Sequence, residues 1–90
     1  MTPPIPRPAA DLSWIVETRG ATLIQRRHGA VASIPYPYAG LWALLADGRY
    51  TRDRARDMMS VLLQTPPQEA EKEIRRALAT WRKAGFLQVE

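Results

Sequence analysis

Apolar and polar residues alternate along the first third of the chain, which is the period of a strand with one buried face. Every second residue from Leu12 to Val16 is apolar, and this pattern predicts a first strand over residues 12–18. Two further apolar runs predict a second strand over 23–27 and a third over 30–34. The first third of the chain is therefore expected to form a sheet.

Short turns join these predicted strands. Gly20 follows Arg19, and we expect this glycine to take the positive φ of a tight turn. His28-Gly29 makes the second turn, and Pro35 ends the third strand because proline cannot donate to a strand ladder. Three strands with short connections predict an antiparallel meander that has one face for the core and one for water.

Helical spacing replaces alternation after Pro35. The first helix is predicted to begin at Pro37 or just after it and to end at Asp47-Gly48, where glycine supplies the stop. Thr51 is the predicted N-cap of a second helix over 52–64.

A third helix is predicted after Thr65, which would cap it, with Pro66 in the first turn and Gly85 as the C-cap. Strands grouped before helices indicate an α+β domain with the helices on one face of the sheet. We assign this domain to residues 12–90 and expect a flexible, proline-rich arm over residues 1–11.

The composition offers little for catalysis. The chain has no cysteine, which excludes disulfides and thiolate chemistry, and its one histidine, His28, falls in a predicted turn. Glu69, Glu71 and Glu73 fit the positive end of the third helix better than an acid/base pair. No glycine-rich phosphate loop is visible. We therefore expect no enzymatic activity, no cofactor and no metal site.

Targeting signals are also missing from the printed sequence. No apolar run approaches the length of a membrane span, and the proline-rich start lacks the apolar stretch of a signal peptide. We expect a cytoplasmic protein without a membrane partner.

The charge balance is basic, with 13 Lys and Arg against 9 Asp and Glu and a formal charge of +4. Such a balance suits nucleic acid, an anionic membrane or an acidic polypeptide, although a solvated face with salt bridges carries the same charge. On the third helix the expected bridges are Glu71 to Arg75 and Glu69 to Lys72.

The edges of the predicted sheet are a second candidate surface. The first strand is partly guarded by Trp14 and by the proline-rich arm, whereas the third strand is short, small-chained and uncharged. A free edge of this kind can accept a peptide as an added strand. Its alanines could equally pack under a helix, and the same edge could pair two copies of the chain.

Two segments of the chain resemble the PqqD-like family. They are Leu41-Trp42-Ala43-Leu44-Leu45-Ala46-Asp47-Gly48, which leads through Arg49-Tyr50-Thr51 into the second helix, and the terminal Trp81-Arg82-Lys83-Ala84-Gly85-Phe86-Leu87. Members of this family are small winged-helix peptide chaperones, also called recognition elements for ribosomally made, modified peptides. The resemblance covers about residues 13–88 and implies a winged-helix-like arrangement of the predicted α+β domain.

The resemblance also implies a ligand. Family members bind the leader of a precursor peptide as an added strand, in a cleft between the third strand and the third helix, and deliver it to a modifying enzyme such as a radical SAM enzyme. Carried over to this sequence, the strand contacts are Ala30, Val31, Ala32, Ser33 and Ile34, and the helix wall is Lys72, Arg75, Arg76, Ala79 and Arg82. A basic wall would suit a leader that contains Asp or Glu.

Two other functions are compatible with the residues. In a DNA-binding winged helix, the third helix would enter the major groove with Lys72, Arg75 and Arg76. Against this, the hairpins precede all the helices, and the glutamates at the start of the third helix would meet phosphates. The chain could also be a docking or structural domain of a larger enzyme complex. The preferred prediction is a non-catalytic peptide chaperone.

Overall fold

The computed structural model describes residues 5–88 and contains one sheet and three helices. The strands are β1 (Leu12–Glu17), β2 (Gly20–Gln25) and β3 (Val31–Pro35), in the antiparallel order β1-β2-β3. The helices are α1 (Tyr38–Ala46), α2 (Arg52–Leu63) and α3 (Pro67–Lys83). This confirms the predicted α+β, winged-helix-like order of three strands followed by three helices.

The two faces of the sheet differ in what covers them. On the face toward the helices, Trp14 of β1 and Ala32 of β3 lie opposite Leu23 of β2, which is buried. On the other face, Ile15 and Val31 are exposed. The helices therefore cover one side of the sheet and leave the other side open, as an antiparallel sheet permits.

Trp42 of α1 is the centre of the core and has no exposed surface. Its ring centroid lies 5.8 Å from that of Trp14 and 5.4 Å from that of Trp81, both in an edge-to-face arrangement. Aromatic rings prefer this geometry because a positive ring edge then meets a negative ring face. Since the three rings come from β1, α1 and α3, this contact joins the sheet to two of the helices.

The helix ends confirm one predicted cap and correct another. Thr51 caps α2, because its Oγ1 accepts a hydrogen bond from the Arg54 N–H at 3.0 Å. The prediction that Thr65 caps α3 was wrong, because the N-cap is Pro66 and the first helical residue is Pro67. Thr65 instead completes the end of α2, where its carbonyl accepts a hydrogen bond from Ser60 Oγ at 2.6 Å.

At the other end of α3, the C-cap is Ala84 rather than Gly85. Gly85 follows it with a φ of 85°. Glycine is favoured at this position, one residue beyond the C-cap, because a side chain is strained there.

The predicted arm makes contacts with the end of the chain. The Ala9 N–H donates to the Phe86 carbonyl, and the Gln88 N–H donates to the Arg7 carbonyl, each at 2.8 Å. Pro8 and Leu87 form a bridge between these two bonds, and Leu87 is buried. Residues 1–4 of the predicted arm and residues 89–90 of the tail lie outside the described range. Within residues 5–88, no helix has the length and apolar character needed to cross a membrane.

Gly20 corrects the turn prediction. Positive φ occurs at Gly29, Gly48 and Gly85 but not at Gly20, which is the first residue of β2. A Cβ at Gly20 would lie 2.5 Å from the carbonyl oxygen of Ile34 on β3. Glycine is therefore required here for the close approach of two strands rather than for the turn.

We predict that Gly20→Ala destabilises the fold by about 1–3 kcal/mol, because a methyl group at this position pushes β3 away from β2. The shift in the urea midpoint of unfolding measures this loss. Gly40→Ala is the matched control, because its Cβ would meet the flexible side chains of Leu62, at 3.4 Å, and Met58, at 3.8 Å, and alanine favours the helix. Equal stability of the Gly20→Ala chain and the original would contradict the close-approach explanation.

Candidate functional site

The outer edge of β3 presents unpaired backbone groups. At one end of the strand the Gln25 N–H donates to the Ala30 carbonyl at 2.9 Å, and at the other the Tyr36 N–H donates to the Arg19 carbonyl at 3.1 Å. The backbone N–H and C=O groups of the even-numbered residues in this segment therefore point toward β2. Because backbone groups alternate in direction along a strand, Val31 and Ser33 point both N–H and C=O away from the sheet.

Pro35 limits this edge. It is the last residue of β3 and alternates with Ser33, so its carbonyl also points outward, but it has no N–H. The edge thus offers two donors and three acceptors, and the donors end at Ser33. The sequence prediction that Pro35 ends the strand is confirmed.

A groove of about 300 Å³ runs between this edge and α3. Its floor is apolar and belongs to the core, since Ile34 and Trp81 are only 4% and 6% exposed. The lining residues are Ser33, Ile34, Pro35, Tyr38, Glu73, Arg76, Ala77, Thr80 and Trp81. An open strand edge therefore lies beside a hollow that can hold apolar side chains.

One side of the groove is polar. The Tyr38 hydroxyl donates to Glu73 Oε2 at 2.9 Å, and Arg76 Nη1 lies 3.2 Å from Glu73 Oε1. The hydrogen bond to Glu73 raises the pKa of Tyr38 above its ordinary value of 10.0, and burial and the charge of Glu73 add to the effect. The Arg76 side chain stays 74% exposed, so its guanidinium group can still meet another anion.

We predict that Glu73→Ala lowers the pKa of Tyr38. A raised pKa means that the folded state holds the neutral phenol more strongly than the unfolded state does. This contribution to stability is present below pH 10.0 and is lost as the pH rises through the folded-state pKa. Without Glu73, tyrosinate absorbance should appear at lower pH.

The titration is cleanest in a chain that carries Tyr36→Phe and Tyr50→Phe, because Tyr38 is then the only tyrosine. Lys72→Ala is the control, since its partner is Glu69 rather than Glu73. An unchanged Tyr38 titration in the Glu73→Ala chain would contradict the hydrogen bond as its cause.

The structure places the predicted helix wall on two sides of α3. Arg76 lines the groove. Arg75 instead lines a separate hollow beside α2, together with Tyr50 and Leu78. Lys72, Ala79 and Arg82 do not line the groove. Successive helical residues are about 100° apart, so the groove side recurs at 73, 76–77 and 80.

On the strand side of the groove, Ser33 and Ile34 of the predicted contacts are among the lining residues. Val31 lies on the same edge and is 65% exposed, and Ala30 and Ala32 face β2 through their backbone groups. Peptide contacts at these positions, and at the five positions of the helix wall, stay predictions.

Sequence reasoning missed Tyr38, Glu73, Ala77, Thr80 and Trp81 as lining residues. Ala77 and Trp81 belong to the buried apolar stripe of α3, which recurs at helical spacing in the sequence (Ala70, Ile74, Ala77, Trp81), and the groove floor is the edge of that stripe. The stripe itself was therefore the sequence signal that could have located the groove, because the residues beside it on the β3 side line the groove.

The ion pairs of α3 follow the same division of faces. Lys72 and Glu69 pair at 3.4 Å, as predicted. Glu71 pairs with Arg52 of α2 at 3.6 Å rather than with Arg75, which corrects the prediction. The reason is that Glu71 lies on the side of α3 toward α2, where an arginine of another helix is within reach.

The fold and the groove together define a class of small domain, in which three antiparallel strands precede three helices and the third strand keeps an open edge. No model of a known protein family matches the chain, and no curated protein matches it by sequence.

Two solved structures share this architecture. One is TbiB1 in complex with the TbiA(beta) leader peptide, with a TM-score of 0.82 and 13% identity over 93% of this chain and 96% of that one. The other is lasso peptide synthetase B1 complexed with its leader peptide, with a TM-score of 0.77 and 18% identity over 96% of this chain and 100% of that one. At these identities the likeness shows the fold, and the fold that the PqqD-like resemblance implied is confirmed.

Proposed function

We propose that this protein is a non-catalytic chaperone that binds the leader of a ribosomally made precursor peptide and presents it to a modifying enzyme. The observation that carries the proposal is the outer edge of β3, where Val31 and Ser33 direct backbone donors and acceptors away from the sheet and Ser33 borders a groove with an apolar floor. The two solved structures of the same fold, each described in complex with a leader peptide, support it.

In the proposed complex the leader forms a fourth strand beside β3. Backbone hydrogen bonds to Val31 and Ser33 supply affinity without regard to side chains. Because side chains alternate along a strand, every second leader residue would point toward α3. An apolar leader side chain would lie over Ile34 and Trp81, and an acidic one would lie near Arg76.

The proposed partners are a precursor leader and its modifying enzyme, in the cytoplasm where such peptides are made. A synthetase partner is supported by the name of one structure of the same fold. A radical SAM enzyme is a further proposal. The alternatives of DNA binding and of a docking domain gain no support from either structure. A homodimer through β3 would compete with the leader for the same backbone groups, so we assign this edge to the peptide.

We predict that Ser33→Pro weakens leader binding about 10-fold or more. Proline removes an outward N–H and leaves a peptide carbonyl unpaired, which costs about 1–3 kcal/mol. The same reasoning applies to Val31→Pro. Fluorescence anisotropy of a labelled candidate leader, titrated at two salt concentrations, measures the loss.

Val16→Pro is the matched control for this experiment, because it removes an outward N–H from the opposite edge of the same sheet. The proposal predicts that the control keeps its affinity for the leader. If Ser33→Pro and Val31→Pro bind the leader as well as the original chain does, strand addition at β3 is wrong. Tight binding of duplex DNA that falls steeply with salt would favour the DNA-binding alternative.

We further predict that Arg76→Glu weakens binding of a leader with an acidic residue by about 5-fold or more, because it replaces attraction with repulsion at the groove. Arg75→Glu is the matched control, since the same charge change falls in the other hollow of α3. Equal losses in both variants would indicate a response to net charge alone and would contradict a specific place for Arg76.

A further inference from the structure

The edge of the sheet opposite the groove is also open. The Arg26 N–H donates to the Asp11 carbonyl at 2.9 Å, so the backbone groups of the odd-numbered residues of β1 point toward β2. By alternation, Trp14 and Val16 direct their N–H and C=O groups outward. Within residues 5–88 these groups have no hydrogen-bond partner.

Residues 5–10 of the arm line a hollow with Leu12 and Trp14 at one end of this edge, but β1 itself lacks the features that normally protect an edge strand. Proteins guard edge strands with lysine, proline or a bulge. Between Leu12 and Glu17, β1 has no lysine, no proline and no break in its register with β2, and its only charged residue is Glu17. Ile15 and Val16 are 56% and 45% exposed, one on each face of the sheet. Neither residue lines the groove.

We infer that two copies of this chain pair through β1, as antiparallel strands with Ile15 on the two-fold axis. In this register Ile15 lies opposite Ile15 of the second copy on the open face. Trp14 lies opposite Val16 of the second copy on the face toward the helices. Both faces of the joint are then apolar at its centre, and the outward groups of Trp14 and Val16 find backbone partners.

Charge disfavours one of the neighbouring registers. With Ile15 on the axis, Glu17 lies opposite Ser13 of the second copy, so no like charges face each other along the paired strands. A shift by two residues in one direction would place Asp11 opposite Glu17, where like charges repel. A shift by one residue would place the outward backbone groups of one copy opposite residues whose backbone groups point toward β2.

The pairing uses none of the groups assigned to the leader. The joined sheet would have six strands, with a β3 edge and its groove at each end. The dimer inference therefore does not depend on the proposed function, and each can be tested separately. Because two short strands bury a small interface, we expect a dissociation constant in the micromolar to millimolar range.

A single cysteine tests the axis directly, since the chain has none of its own. Opposed residues between the hydrogen-bonded pairs of an antiparallel ladder have Cα atoms about 4.5 Å apart, which a disulfide can span. We expect Ile15→Cys to form a disulfide-linked dimer under mild oxidation. Val31→Cys, an exposed position on the other edge, is the matched control and should form little disulfide-linked dimer.

Charged substitutions on the axis test the register. Ile15→Glu or Ile15→Lys alone should weaken self-association by at least about threefold, because like charges then face each other on the axis. An equimolar mixture of the two variants should restore it. Sedimentation equilibrium of the 10.2 kDa chain across a concentration series measures the association.

Several results would overturn the inference. They are a mass that stays at one chain up to about 1 mM, equal cross-linking of Ile15→Cys and Val31→Cys, or no recovery when the Ile15→Glu and Ile15→Lys chains are mixed. Val16→Pro should abolish the dimer and keep leader binding, and Ser33→Pro should do the reverse. Loss of dimerisation in Ser33→Pro but not in Val16→Pro would move the contact to β3.

Discussion

The fold depends on the packing of Trp42 between Trp14 and Trp81. The buried ring of Trp42 holds α1 and α3 against the sheet through two edge-to-face contacts. This packing also has to offset a cost, because the Trp42 indole N–H is buried without an acceptor within residues 5–88, and such a group costs about 1–3 kcal/mol. Since Trp81 is also part of the groove floor, the ring contact that stabilises the core sets the position of α3 relative to β3.

Backbone alternation links the central strand to both surfaces. β2 pairs on both sides, so each neighbouring strand uses one set of its backbone groups inward and keeps the other set free. On β3 the free groups belong to Val31 and Ser33, and Ser33 borders a groove. On β1 they belong to Trp14 and Val16 and point away from the sheet on the side where the arm passes Trp14. The different surroundings of two equivalent edges explain why we assign a peptide to one and a second copy of the chain to the other.

The sequence was sufficient for the elements and their order, because alternation, helical spacing and turn residues are local signals. It also identified β3 as an edge, since Pro35 ends the strand and no fourth strand precedes the helices. It could not choose which flank of the α3 stripe faces β3, because Arg75 and Arg76 are one residue apart and both fit a basic wall. That choice depends on the packing of α3 against Trp42. Gly20 was misread for a similar reason, since its constraint comes from Ile34 on another strand.

The spacing of the free groups on β3 has a consequence for the ligand. Two outward residues followed by the lone carbonyl of Pro35 span about five residues of an added strand, and a groove of about 300 Å³ holds only one or two of its side chains. In the proposed complex, the recognised signal would be a short segment read at every second position, with the residues between them free to vary. Such a segment carries little information, so unrelated precursor peptides could share one chaperone provided that the leader of each contains the same short pattern.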